Sequence, residues 1–215
     1  MDAIGADDTS AMPAPRWSLQ GPKLLIVEGK DEKLLLPRYL EHHGIEGMQV
    51  EDIGGKTLLQ RNLRQVRLEM IPAELSSIGI LRDADDDPVG AFQSVCSALS
   101  ANQFSAPASP GTFADGTPRV GVYILPDAAT KGALETLGLR SVGGDPALAC
   151  MGAYFDCVGD PPERTTAGQI AHAQAQVYLA SKYCGISQAG RAAEATLWNF
   201  DSPVWNPLKA FLAQL

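Results

Sequence analysis

The feature that most constrains this chain is a device that occurs three times: a short apolar run closed by a carboxylate. Lys23–Leu24–Leu25–Ile26–Val27 runs into Glu28–Gly29, and Ser77–Ile78–Gly79–Ile80–Leu81 runs into Arg82–Asp83–Ala84–Asp85. Arg119 to Leu125 runs into Pro126–Asp127. Runs this short and this rich in Leu, Ile and Val are expected to be buried strands. Met48 to Ile53 alternates apolar and polar residues and reads as a further strand. The segments between are helical in pattern. Asp31 to His43 is rich in Leu, Glu and Lys, with Asp31 as the expected N-cap and Pro37 either a kink or the start of a later helix. Thr57 to Met70 follows the turn Gly54–Gly55–Lys56 and turns Leu58, Leu59, Leu63, Val66 and Met70 inward. A third helix is expected from about Val89 to Asn102. Strands separated by helices argue for βαβ units, hence a largely parallel sheet with helices on both faces.

Pro107 to Pro118 holds Pro, Gly, Ser and Thr and reads as a loop or hairpin tip. Beyond Gly143 no strand is expected, and helices are read at Ala167 to Tyr183, Gln188 to Trp198 and Val204 to Leu215. The chain has 215 residues, 45% of them apolar and 20% charged, enough to bury one full core without staples. One domain over residues 21–215 is expected, preceded by a disordered tail at 1–20, where small and polar residues dominate. That tail has neither the basic nor the apolar region of a signal peptide, and no run approaches the ~20 residues of a membrane span. Cys96, Cys150, Cys157 and Cys184 lie far apart, with no Cys-x-x-Cys pair. They read as buried reduced thiols of a cytoplasmic protein.

Net charge is −8. A protein that grips phosphates over a long footprint carries a basic stripe, so nucleic-acid binding here would need a local basic patch or a metal. Arg61, Arg64 and Arg67, with Lys56 just upstream, fall at three-residue spacing along one helix face. The ordinary reading of such a run is a solvated face.

In a sheet of this kind ligands bind outside the carboxyl ends of the strands. Glu28, Asp83, Asp85 and Asp127 are placed at those ends. Asp83 and Asp85 point the same way if the backbone stays extended. Like charges gathered together call for a cation, and hard oxygen ligands suit Mg²⁺, Mn²⁺ or Ca²⁺. Asp87 is either one more ligand or the N-cap ahead of Pro88. Two motifs fail. Asp83-x-Asp85-x-Asp87 opens like an EF-hand, but Pro88 stands where Gly is needed and Ser94 where the bidentate Glu belongs. Gly55–Lys56–Thr57 ends like a P-loop, but that loop's first glycine would fall at Val50, inside a strand. His42 and His43 read as exposed or as partners of a helix C-terminus, and His172 as a plain helix residue. No Ser/His/Asp or Cys/His spacing stands out.

These residues resemble the Toprim domain shared by topoisomerases, bacterial primases and OLD-family nucleases. The likeness lies in "LLIVEG" (Leu24 to Gly29) and "IGILRDAD" (Ile78 to Asp85). More narrowly, "VEGKDE", "IGGK", "DADDDP", "VGVYILPD" and the closing "FDSPVWNPLKAFLAQL" resemble an uncharacterised bacterial family of small stand-alone Toprim-like proteins. The resemblance implies an α/β, Toprim-like (Rossmann-like) sheet with a helical C-terminal extension from about residue 166. It implies Mg²⁺ (or Mn²⁺) held by Asp83 and Asp85, with Glu28 as ligand or general acid/base. A two-metal arrangement like that of OLD-like nucleases would need further ligands, for which Asp31 and Glu32 are candidates and Asp127 and Glu135 weaker ones. Lys56 would neutralise charge on a phosphate or sit in solvent. The implied activity is metal-dependent phosphodiester cleavage or transfer on nucleic acid. The alternatives are a non-catalytic metal-binding module acting with a partner protein, and an enzyme acting on a small phosphate-bearing molecule. No ATPase, helicase or primase module is read in these residues.

Overall fold

The computed structural model describes residues 18–70, 74–159, 165–183 and 185–215. Most of the tail expected at 1–20 lies outside them. Of its last residues, Leu19 packs on the core and Gln20 donates its backbone N–H to Gln49 Oε1 at 2.8 Å.

Five strands form one sheet in the order β2-β1-β3-β5-β4. β1 (Lys23–Val27), β2 (Met48–Asp52), β3 (Ser77–Asp83) and β5 (Arg119–Leu125) run parallel, and β4 (Thr112–Ala114) pairs antiparallel with β5 at the edge. The expected α/β sheet is therefore present. Its edge strand β4 falls inside the segment read as a loop or hairpin tip, where Phe113 stacks over Gly121 of β5.

Strand alternation sorts the core into two layers. Leu24 and Ile26 of β1, Ile78 and Ile80 of β3, and Val120 and Val122 of β5 face α2 (Leu59–Gln65) and α3 (Pro88–Ala101). Leu25, Val27, Leu81, Tyr123 and Leu125 face the other way. There they pack on α1 (Lys30–His42), α4 (Leu134–Ser141), α6 (Ala167–Lys182), α7 (Ala189–Glu194) and α8 (Asn206–Leu212). α5 (Pro146–Val158) has no buried residue. α4 and α5 lie where no element was read from the sequence. Gly79 lets Leu215 and Leu25 close over β3: a Cβ there would lie 2.5 Å from Leu215 Cδ1.

Several local expectations change. Gly29, not Asp31, caps α1, because the Asp31 carboxylate is turned to the backbone N–H of Gly190 at 3.0 Å. α1 continues through Pro37. The helix read from Thr57 to Met70 is three pieces: a 3₁₀ turn at Lys56–Leu58, α2, and a π turn at Val66–Met70. Cys96, Cys150 and Cys157 are free thiols, but Cys150 and Cys157 are exposed on α5 rather than buried. Cys184 lies outside the described residues. Among the described residues no helix is long and apolar enough to cross a membrane.

Candidate metal centre

The carboxyl ends of β1 and β3 lie side by side, because these strands are neighbours in parallel register. That geometry alone brings Glu28 and Asp83 to one rim. Asp83 Oδ1 accepts a hydrogen bond from the Leu134 backbone N–H at 3.1 Å, which fixes the start of α4 over the rim. The chain then leaves the extended conformation. Asp85 has φ +49°, a left-handed backbone that a non-glycine residue adopts at a cost of about 1 kcal/mol or more. Two backbone hydrogen bonds hold it there, Asp85 N to Gly132 O and Gly132 N to Asp85 O, both 2.9 Å. The backbone does not stay extended through Asp85, so strand alternation does not align it with Asp83. The strand pair brings Asp83 to Glu28, and a turn pinned to the β5–α4 connection brings Asp85.

Around this rim the carboxylates act on one another. Asp83 is pushed well above the usual aspartate range by burial, and by the charges of Glu32, Glu135, Glu28 and Asp85. Glu32, only 6% exposed, is raised to about 7 by burial, with Glu135, Glu28 and Asp31 adding to it. Glu28 is raised by burial and by Asp85, against the pull of Arg82 and Lys56. The opposing cations are few and loosely placed. Arg82 Nε lies 3.9 Å from Glu28 Oε2, and Lys56 Nζ lies 3.4 Å from Asp85 Oδ2. Asp85 Oδ1 also takes the Thr166 hydroxyl at 3.3 Å.

A second group adjoins the first on the α1 side. Asp31, Glu135 and His172 offer ligand atoms that all lie within 4.8 Å of one another. Glu135, 7% exposed, meets His172 Nδ1 at 2.7 Å, and Gln176 Nε2 lies 3.1 Å from His172 Nε2. With the amide donating to Nε2, Nδ1 carries the proton and donates to Glu135. Asp31 is raised by burial and by Glu135. The donor set of this group and the rim fits a hard divalent cation: carboxylate oxygens, an imidazole, and like charges crowded where water is scarce. Lysines are the groups that would be expected there if the crowding were to be relieved internally, and the one at hand is half exposed.

Two candidates are placed elsewhere. Asp87 caps α3, its Oδ1 accepting from Gly90 N at 2.8 Å. Asp127 accepts from the backbone N–H and hydroxyl of Thr130, both 2.7 Å, and from Arg140 Nη1 at 2.7 Å, which holds its carboxyl down to about 2. His42 pairs with Asp201 at 2.8 Å, away from the cluster. His172 was read as a plain helix residue, and only the fold brings it to Glu135.

The family model described as "Protein of unknown function (DUF3226)" matches residues 22–215. The chain belongs to that family. No curated protein matches this DUF3226 chain. Among solved structures it is similar to the C-terminal region of the Xanthomonas campestris pv. campestris OLD protein, with 12% identity and a TM-score of 0.49 over 92% of this chain and 97% of that one. It is similar also to the C-terminal region of the Burkholderia pseudomallei OLD protein, with 14% identity and a TM-score of 0.48 over 90% and 98% of the two chains.

Proposed function

We propose that this DUF3226 chain is a metal-dependent enzyme that cleaves or transfers phosphodiesters, using Mg²⁺ or Mn²⁺ held at the acid cluster. The observation that carries the reading is that Glu28, Asp31, Glu32 and Asp83 gather at one rim of the sheet, their carboxyls raised by burial and by neighbouring charges that include Asp85 and Glu135. Like charges in such a place cost several kcal/mol unless a proton or a cation neutralises them. The Toprim resemblance of "LLIVEG" and "IGILRDAD" supports the same chemistry.

In this reading Glu28, Asp83 and Asp85 hold one cation, and Asp31, Glu135 and His172 hold a second, with Glu32 between the groups. The imidazole of His172 inclines the second position toward Mn²⁺ over Mg²⁺. Bound divalent cations would supply charge stabilisation for the attacking and leaving oxygens of a phosphoryl displacement. Where Glu28 stands outside the ligand set instead, its carboxyl, raised by burial, is placed to hand a proton to a leaving oxygen. Lys56, on the exposed side of Asp85, can pair with a non-bridging phosphate oxygen.

The test is calorimetric binding of Mg²⁺ and Mn²⁺, with hydrolysis of bis(p-nitrophenyl) phosphate and nicking of DNA, on the wild type and on Asp83→Ala/Asp85→Ala. Metal-dependent hydrolysis that the double variant loses is the expected result. Metal binding without turnover on any phosphodiester would replace this reading by a metal-binding module that works with a partner protein. The exposed Tyr154 and Val158 of α5 favour that second reading. No metal binding by the folded wild type would overturn both.

A further inference from the structure

The opposite layer of the molecule carries an ionic feature that the acid cluster does not use. Two cavities, of about 600 and about 540 Å³, lie between α2 and α3. They share Thr57, Gln60 and Ala101, so they form one continuous trough. Lys56, Arg61, Arg64 and Arg67 line it, and among the described residues no acidic side chain does. Acidic residues outnumber basic ones 25 to 17 in the chain, so an all-basic lining runs against the composition. Arg67 spends its guanidinium on neutral partners, the carbonyl and side-chain oxygens of Gln103 at 3.1 and 3.0 Å, and its charge stays available. Asn102 Nδ2 donates to Gln60 O at 3.1 Å and pins the two helices on either side of the trough.

The trough has a direction. At one end Lys56 stands 3.4 Å from Asp85 of the acid cluster, and from there the arginines follow the helix down to Arg67. At a rise of about 1.5 Å per residue this is a track of about 16 Å, enough for roughly three to five phosphates of one strand. We infer that the trough is the binding track for the sugar–phosphate backbone of a single-stranded nucleic acid, which it leads to the acid cluster. The inference rests on the metal-dependent phosphodiester chemistry proposed above and names the substrate class for it. A strand fits where a duplex does not, because Arg61, Arg64 and Arg67 stand in a single row along one helix face, which matches one row of phosphates and not the two of a duplex. The cations contact phosphates and among the described residues no aromatic ring lines the trough, so binding is independent of base sequence and steeply dependent on salt.

The experiment is fluorescence anisotropy of a labelled 12-nucleotide single strand in EDTA, over a salt series. The proteins compared are the wild type, Arg61→Glu/Arg64→Glu, the milder Arg64→Ala, and Asp83→Asn/Asp85→Asn. All are checked for native thermal unfolding. The expected result is tenfold or greater weakening in the double arginine variant, with the salt slope reduced by about 1.4 for two lost contacts, and a smaller loss in Arg64→Ala. The carboxamide variant should bind at least as tightly as wild type. Unchanged affinity and slope in the arginine variants would overturn the proposal. So would equal competition by a duplex of the same sequence, or by polyglutamate, which would mark the trough as a site for acidic protein. Hydrolysis of bis(p-nitrophenyl) phosphate separates the two readings. Small-substrate turnover without strand binding leaves the chemistry and removes the trough, while trough-dependent binding without turnover on any phosphodiester does the reverse.

Discussion

Asp83 and Asp127 begin from the same place in the plan of the fold, each a carboxylate where a central parallel strand ends, and they finish in opposite electrostatic states. Asp83 is enclosed by Glu32, Glu135, Glu28 and Asp85, with one backbone N–H for company, and its carboxyl is pushed up. Asp127 stands nearer solvent, takes hydrogen bonds from Ala129, Thr130 and Arg140, and is held down to about 2. A position at a strand end therefore does not make a ligand. What separates the two is whether the protein has already neutralised the charge. At Asp127 it has done so with its own donors; at Asp83 it has left the neutralisation to something else.

The largest expected effect tests that difference on activity. Asp83→Asn should reduce metal-dependent phosphodiester hydrolysis by about a thousandfold or more, whereas Asp127→Asn should leave it within a few-fold. Equal losses in steady-state kinetics would break the comparison. A second test uses pH. Groups whose carboxyls are raised by folding stabilise the folded state below their unfolded values and withdraw that stability as pH climbs through the folded ones. Glu32 shifts from 4.5 to about 7. The metal-free protein should thus lose on the order of 3 kcal/mol between pH 4.5 and 7.5. Thermal unfolding in EDTA reads this directly, and Glu32→Gln or saturating Mn²⁺ should flatten the profile. The smallest effect lies at Asp127, where the sign reverses. Its contribution is full above about pH 4 and is lost as pH falls toward 2. The Asp127–Arg140 pair is open to solvent, with 26% of one side chain and 40% of the other exposed, so Asp127→Asn should cost only about 1 kcal/mol at pH 7. Denaturant titration at pH 7 and at pH 2 should show that cost shrinking in acid.

Much of the frame was legible because buried parallel strands are written as unbroken apolar runs. Residues 24–27 and 120–125 could be little else. β4 escaped because a three-residue edge strand in a Pro- and Gly-rich segment owes its conformation to pairing with β5 rather than to its own composition. α5 escaped for a different reason. Its apolar residues spread round the helix, and the structure packs only a half-buried edge of it, Ala147, Leu148 and Met151, against the core. At the site, Glu28, Asp83 and Asp85 were legible from strand ends and family likeness. The left-handed turn at Asp85 was not, since nothing local favours it and Gly132, far along the chain, holds it. His172 sits 37 residues beyond Glu135, in a helix of Ala and Gln where one imidazole has no spacing to betray it. The spacing of Arg61, Arg64 and Arg67 correctly put them on one face. What the sequence could not show was that α3 would turn that face into the wall of a channel.

α6 is fastened at both ends, and this makes it a ruler. Its first turn is tied to the acid turn through Thr166 to Asp85 and Ala167 N to Asp86 Oδ1, 3.0 Å. Its last turns are tied to Asp145 through Tyr178 Oη at 3.0 Å and Lys182 Nζ at 2.5 Å. Between these anchors His172 is six residues past Thr166, a fixed offset of about 9 Å along the axis. The offset of the imidazole from the Asp85 turn is thus graduated in helical residues, not adjusted by loops. Inserting one alanine between residues 168 and 171 would swing the imidazole about 100° off Glu135 while leaving every carboxylate in place. The imidazole can be moved along α6 only in whole steps, and most steps point it the wrong way.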